Sequence, residues 1–344
     1  MKIAHINLAQ GFRGGERQTA LLIEELSKLG YIQTLFVRKR NTEVSLKKYI
    51  KNRKILNLEI VKIGKPYFFS ILKFRDFDII HSHETKANQL SYLVNRVLKI
   101  PYLITRRVQF SPSKNFFNLA IYRDAKSLVA LSTAIKDDLQ KLDKNLKIEI
   151  IPSAFIKTDI SEQRIFENIP KGKKIVGHIG AVVDSHKGQC TIIETAKLLE
   201  KTNPEIYFIL VGDGKDLASC RRRTKDMKNI TFIGYMENPQ RYIQNFDIFI
   251  FPSIHEGLGS TLLDVMSLAV PIIASETGGI VDIIKDNFNG FLIQPRDSKR
   301  LRDKIVELVS DSAVQKKFVE NSLKKVLNFS SNRMAIKYQT IYNG

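Results

Sequence analysis

The chain has 344 residues, 43% of them hydrophobic and 26% charged, with Cys190 and Cys220 as its only cysteines. That length is a prior for two domains, and the composition excludes both a disordered chain and a disulfide framework. The formal charge of +20 is uneven, because residues 1–165 carry thirty Lys and Arg against fifteen Asp and Glu. The first half is therefore expected to face something anionic, nucleic acid and acidic membrane included, unless the surplus reflects only a Lys-rich proteome.

At the N-terminus His5, Asn7 and Gln10 interrupt any signal-peptide core. No run approaches the roughly 18 apolar residues of a spanning helix. A cytoplasmic protein, soluble or bound to a membrane surface, is expected.

Strands are predicted at 2–7, 33–37, 59–63, 78–81, 102–105, 127–131 and 149–151. Helical patterns lie between most of them, as at 16–29, where Leu21, Leu22, Leu26 and Leu29 form one stripe. The segment 66–75 mixes aromatic residues with cations; it suits either an anionic lipid surface or packing into its own domain. Arg38-Lys-Arg40, Lys47, Lys48, Lys51, Arg53 and Lys54 add a basic cluster. The pattern breaks at 158–173 and then restarts. Strands are predicted at 174–177, 206–211, 230–233, 247–251, 271–274 and 290–293, helices at 189–201 and 261–268, and a helical tail from Asp297. Strands alternating with helices imply βαβ units, hence two doubly wound α/β domains with a cleft between them, 1–165 and 166–327. Ligands in such sheets bind beyond the carboxyl ends of strands.

The most informative stretch runs from Phe251 to Asp264. A strand leads into a loop with Glu256, Gly257 and Gly259, and a helix follows from Ser260. Glycines let the backbone approach a ligand, and the free N–H groups of a helix start favour phosphate. Ser260 and Thr261 are candidate N-cap or phosphate-contacting hydroxyls. Glu256 and Asp264 could bracket a ligand with hydroxyls on both sides of a diphosphate, the layout of a nucleotide sugar. A capped helix with an ordinary acidic residue is the plain alternative.

This arrangement resembles the retaining glycosyltransferase family 4, whose fold, GT-B, has two facing Rossmann-like domains and a C-terminal helix, here about 328–344, returning to the N-terminal one. The resemblance implies that Glu256 faces the donor sugar, that the backbone of Gly259, Ser260, Thr261 and Leu262 meets the diphosphate, and that Asp264, where the family usually has Glu, meets the ribose. It extends to Gly14-Gly15-Glu16-Arg17 opening the first helix, and to Asp78-Ile-Ile-His-Ser-His83, where His83 is favoured over His81 as the residue near the sugar. Gly180-Ala-Val-Val-Asp-Ser-His-Lys-Gly188 supplies Lys187 to the leaving diphosphate. The family's Arg is replaced there by Ala181; His186, Arg106 and Arg107 are the candidates to compensate. Gly234 and Tyr235 correspond to residues that border the nucleotide base. Arg106 and Arg107 stand where many members have a His; they are candidate contacts for an anionic acceptor or phosphate.

No dinucleotide fingerprint is present. Asp76-Phe-Asp78 has the spacing of a metal motif but abuts a buried strand, so it is read as structural. His81 and His83 lack an evident third metal ligand. The family resemblance implies metal-independent transfer with retention of configuration, no cofactor, and a nucleotide-sugar donor. The expected acceptor is a glycan or glycolipid, such as lipopolysaccharide core, at the inner face of a bacterial membrane. A sugar-nucleotide epimerase on the same fold is the alternative. A nucleic-acid-binding protein is a lesser one, since the usual binding motifs are missing.

Overall fold

Short runs of Ile, Val, Leu and Phe, buried on both faces, build two parallel sheets. The computed structural model describes residues 1–9, 14–38, 50, 55–156, 172–236 and 238–344. Most of the basic cluster (residues 39–40, 47–48, 51 and 53–54), most of the break at 158–173 and residues 10–13 of the first turn lie outside the described residues. The chain divides into two units, Met1–Ala154 with Phe329–Gly344, and Phe155–Asn328.

The first unit holds β1 (Lys2–Asn7), β2 (Ile32–Arg38), β3 (Leu58–Ile63), β4 (Ile79–Ser82), β5 (Tyr102–Arg106), β6 (Ser127–Ala130) and β7 (Ile148–Ile150). They pair in the order β3-β2-β1-β4-β5-β6-β7. The second holds β8 (Lys174–Ile179), β9 (Ile206–Val211), β10 (Ile230–Gly234), β11 (Ile248–Phe251), β12 (Ile272–Ser275) and β13 (Phe291–Ile293), ordered β10-β9-β8-β11-β12-β13. Each sheet therefore reverses its winding once, between β1 and β4 and between β8 and β11. These are the switch points at which doubly wound sheets place ligands.

The first helix, Gly14–Lys28, buries Leu21, Leu22 and Leu26. Leu29, expected on the same stripe, lies past its end and is exposed. Gly30 takes φ +82°, and Gly30 N–H and Tyr31 N–H donate to Ser27 and Leu26 carbonyls, a glycine stop that turns the chain one residue early. Gly177 sits inside β8 because a Cβ there would stand 2.1 Å from the Phe246 ring.

The aromatic and basic segment at 66–75 forms a 3-10 helix, Tyr67–Phe74. Phe74 packs on Phe36, their ring centroids 4.3 Å apart, while Phe68, Phe69 and Leu72 are 51%, 76% and 69% exposed. The helical tail consists of Ser298–Ser310, Ser312–Val326 and Ser331–Asn343, capped by the side chains of Asp297, Asp311 and Ser330. The last of these returns to the first unit and buries Tyr338 and Tyr342 there.

Candidate functional site

In the second unit, the loops following β8, β9 and β11 interlock through glycine. Gly188 has φ +68°, and a Cβ on it would lie 2.2 Å from the Pro252 carbonyl oxygen. A Cβ on Gly212 would lie 1.9 Å from the Gly180 oxygen. Ile254 N–H donates to the His186 carbonyl (2.8 Å) and Gly180 N–H to that of Val211 (3.0 Å). This close approach brings Lys187 from one loop to Glu256 on another. Their side chains form an ion pair, 21% and 16% exposed, and the Lys187 ammonium lies 4.8 Å from the Phe251 ring centroid.

Gly259, at φ +83°, opens the helix Ser260–Ser267, and no side chain caps it. The amides of its first turn therefore lack a side-chain acceptor and carry the positive end of the helix dipole. The loop before the helix is pinned by Gly279 N–H donating to the Glu256 carbonyl (3.2 Å) and by Thr277 Oγ1 donating to that of Ile254 (3.2 Å). At the end of β10, Gly234 takes φ +93° and Tyr235 is 70% exposed. His178, buried on β8, contacts the Ile250 carbonyl through Nδ1 (3.0 Å), and its buried Nε2 has no hydrogen-bond partner. Burial pushes its pKa down to about 4, with the Lys187 charge adding to this, so the ring is neutral and Nδ1 carries the proton.

In the first unit, His5 on β1 and His81 on β4 are register partners, and His83 follows β4. Their ligand atoms lie within 4.8 Å of one another. All six ring nitrogens are nevertheless engaged. His5 contacts His83 (Nδ1 to Nε2, 3.1 Å) and Gln33 Oε1 (3.0 Å). His81 contacts the Tyr342 hydroxyl (2.7 Å) and Thr105 Oγ1 (2.7 Å). His83 Nδ1 contacts Arg107 Nη2 (3.3 Å). Desolvation lowers all three imidazoles, His5 to about 4, so these contacts join neutral rings, and His5 is a third imidazole that the sequence did not place beside His81 and His83.

The family model described as Glycosyl transferases group 1 matches residues 159–325, and that described as Glycosyltransferase Family 4 matches residues 12–155. Together they span nearly all of the chain. The chain belongs to the family 4 glycosyltransferases. It is 23% identical to a UDP-Gal:alpha-D-GlcNAc-diphosphoundecaprenol alpha-1,3-galactosyltransferase of Escherichia coli, over 99% of this chain and 96% of that one. It is also 23% identical to the lipopolysaccharide core biosynthesis glycosyltransferase LpsE of Rhizobium meliloti, over 93% and 92%. Among solved structures, Anabaena HepE in complex with UDP and glucose superposes with a TM-score of 0.87 at 17% identity, with both chains fully covered; this likeness shows the shared GT-B fold.

In this glycosyltransferase the structure brings together Lys187, Glu256, Gly257, Gly259, Ser260 and Thr261 at the β8/β11 switch point. The N-cap is Gly259, with Ser260 as the first helical residue, because only the glycine takes the left-handed conformation that the turn requires. Leu262 N–H is already used, donating to the Gly259 carbonyl (2.8 Å). The Asp264 carboxylate is 7% exposed; it accepts from Ile156 N–H (2.8 Å) and Gln240 Nε2 (3.4 Å). Gly14 and Gly15 open the first helix, and a Cβ on Gly15 would stand 3.5 Å from Arg107 Cδ. His83 is 3% exposed with both nitrogens engaged, so it offers no free nitrogen to a sugar. Arg106 is turned inward, donating to the Phe110 carbonyl (2.5 Å) and the Tyr122 hydroxyl (3.5 Å). Asp78 is structural: one oxygen accepts from Lys2 N–H (2.7 Å). Ala181 is exposed.

Sequence reasoning missed His5, Gln33 and His178. The alternation of β1 places His5 on one sheet face, but only strand order shows that this face is shared with His81 and His83.

Proposed function

We propose that this glycosyltransferase moves a sugar from a nucleoside diphosphate to a glycan or glycolipid of the bacterial surface, with retention of configuration and without a metal. The observation that carries the reading is the Lys187–Glu256 pair beside the uncapped start of Ser260–Ser267. The helix amides and Lys187 would hold the diphosphate and stabilise the charge that grows on it as the C1–oxygen bond breaks. Glu256 would then take the sugar hydroxyls, Asp264 and Tyr235 the nucleoside. The acceptor oxygen bonds to C1 on the face the diphosphate leaves, and its proton passes to the departing phosphate oxygen, so no protein nucleophile is needed.

A lipid-linked acceptor is supported by the names of the relatives, one of which acts on a diphosphoundecaprenol substrate. It is also supported by the exposed Phe68, Phe69 and Leu72 beside Lys65, Lys73 and Arg75. Residues 64–124 carry ten Lys and Arg against four Asp and Glu, a balance that suits the anionic inner face of a cytoplasmic membrane. Among the described residues no helix is long and apolar enough to cross a membrane. The test is to incubate the purified enzyme with a panel of nucleotide sugars and a membrane glycolipid extract and weigh the products. A product heavier by one sugar supports transfer. Interconversion of free sugar nucleotides, or no turnover with any donor, overturns it.

A further inference from the structure

The buried contacts around His83 have a direction that can be assigned from both ends. At one end, Gln33 Nε2 donates to the Ile23 carbonyl (2.9 Å), which can only accept. The Gln33 amide oxygen must therefore face His5, and His5 Nε2 must carry the proton (3.0 Å). His5 is neutral, so its Nδ1 is bare and accepts from His83 Nε2 (3.1 Å). His83, also neutral, then has a bare Nδ1. At the other end stands Arg107, which can only donate, and its Nη2 lies 3.3 Å from that Nδ1. Both ends dictate the same polarity.

Arg107 is otherwise underused. Its Nε is buried without a hydrogen-bond partner, and among the described residues no carboxylate comes within ion-pair distance of it. Burial works against its charge and lowers its pKa, while the fields of Tyr338 and Glu16 favour the charge. Arg107 as a whole is half-buried, and a guanidinium held by one neutral imidazole is left short of partners unless an anion completes it. It also leans on Gly15 in the first turn of the helix Gly14–Lys28, whose amide end favours the same sign of ligand. Arg106 beside it also has a buried, unpartnered Nε, but both of its terminal nitrogens are engaged, by Tyr122 and Phe110.

We propose that Gln33, His5 and His83 form a one-way hydrogen-bond relay that positions Arg107 to bind a phosphate group of the acceptor. The reading of this group as part of the acceptor rests on the transfer function proposed above; the relay and the anion site do not. His83 is then a positioning residue, and its ring is committed to Arg107 rather than to proton transfer.

The test uses full-length protein labelled with 15N at histidine and carrying Lys187→Ala, which weakens the donor site as a competitor. Inorganic phosphate, glucose 1-phosphate and glucuronate are titrated in without donor. His83 is expected to be protonated at Nε2 and bare at Nδ1, and its Nδ1 resonance to move saturably with either phosphate. Arg107→Gln should weaken that response about tenfold, the size of one lost charge-assisted contact. His83→Leu should weaken phosphate binding several-fold, measured by calorimetry, and His83→Gln should restore it, because an amide can offer oxygen to Arg107 and N–H to His5. A proton on His83 Nδ1 overturns the relay. Saturating phosphate that leaves His83 unmoved overturns the anion site, and a response to glucuronate alone overturns phosphate as the ligand class. Phosphate binding without sugar transfer from any donor would leave this site standing and remove only the proposed function.

Discussion

Lys187 and Glu256, 69 residues apart in the chain, neutralise each other before any donor is present. A diphosphate arriving at the start of Ser260–Ser267 would draw Lys187 away and release the carboxylate toward the sugar. Lys187→Ala and Glu256→Ala should each lower kcat by about a hundredfold or more, as loss of one preorganised group typically does. Circular dichroism should be unchanged. Glu256→Gln separates the two roles: nucleoside diphosphate should bind at least as tightly, because Lys187 is freed, while transfer still falls. Weaker nucleotide binding in that variant would refute the exchange.

Gly188→Ala should destabilise the fold and the site together. It combines a left-handed backbone with a Cβ 2.2 Å from a carbonyl oxygen that cannot step aside. The expected cost is about 1–3 kcal/mol, read as a lower urea midpoint. An unchanged midpoint would show that the two loops are not interlocked as described.

Ala181→Arg restores a cation that the family resemblance leads one to expect, at an exposed position with room for it. Nucleoside diphosphate should bind roughly fivefold tighter, about 1 kcal/mol for a partly screened charge-assisted contact. Calorimetry decides. Unaltered affinity would mean that this loop does not reach the diphosphate.

Stability should fall between pH 6.5 and about 4. His5 and His178 have folded pKa values depressed to about 4, so through this window the unfolded chain takes up protons that the fold refuses. Their stabilisation is fully present above pH 6.5 and is lost as pH drops to 4, on the order of 3 kcal/mol each at most. His81 and His83 act in the same sense, while Glu84, whose carboxyl is raised by burial, opposes them. Urea melts at half-unit pH steps test this, and a flat midpoint across the window would refute it.

Phe74 and Phe69 should part company. Phe74→Ala removes a ring packed on Phe36 and should cost about 3–5 kcal/mol. Phe69→Ser with Leu72→Ser should change stability by less than about 0.5 kcal/mol each, since both side chains are exposed. The double variant should lose affinity for phosphatidylglycerol vesicles in sedimentation assays. Retained affinity would remove this helix from the membrane face.

The strands were legible because runs such as Ile206–Val211 and Ile248–Phe251 are apolar at nearly every position, and the turns after them carry glycine. That Lys187 and Glu256 share one site was legible only through family resemblance, and their ion pair was not legible at all: no local signal brings together residues on two separate loops. The fates of Arg106 and Arg107 were not legible at all. Adjacent strand-end residues point to opposite sides, and only the surroundings decide that one spends both terminal nitrogens on Tyr122 and Phe110 while the other reaches His83 Nδ1. Asp264 shows the same limit, since its backbone partner Ile156 lies 108 residues away.

The return of Ser331–Asn343 to the first unit means that this unit cannot be completed until the whole of the second has been synthesised. His81 waits for the Tyr342 hydroxyl and Thr105 for that of Tyr338, so the sheet made first is finished after the one made second. A chain truncated at Asn328 would carry a complete Phe155–Asn328 unit while His81 and Thr105 lacked their tyrosine hydroxyls.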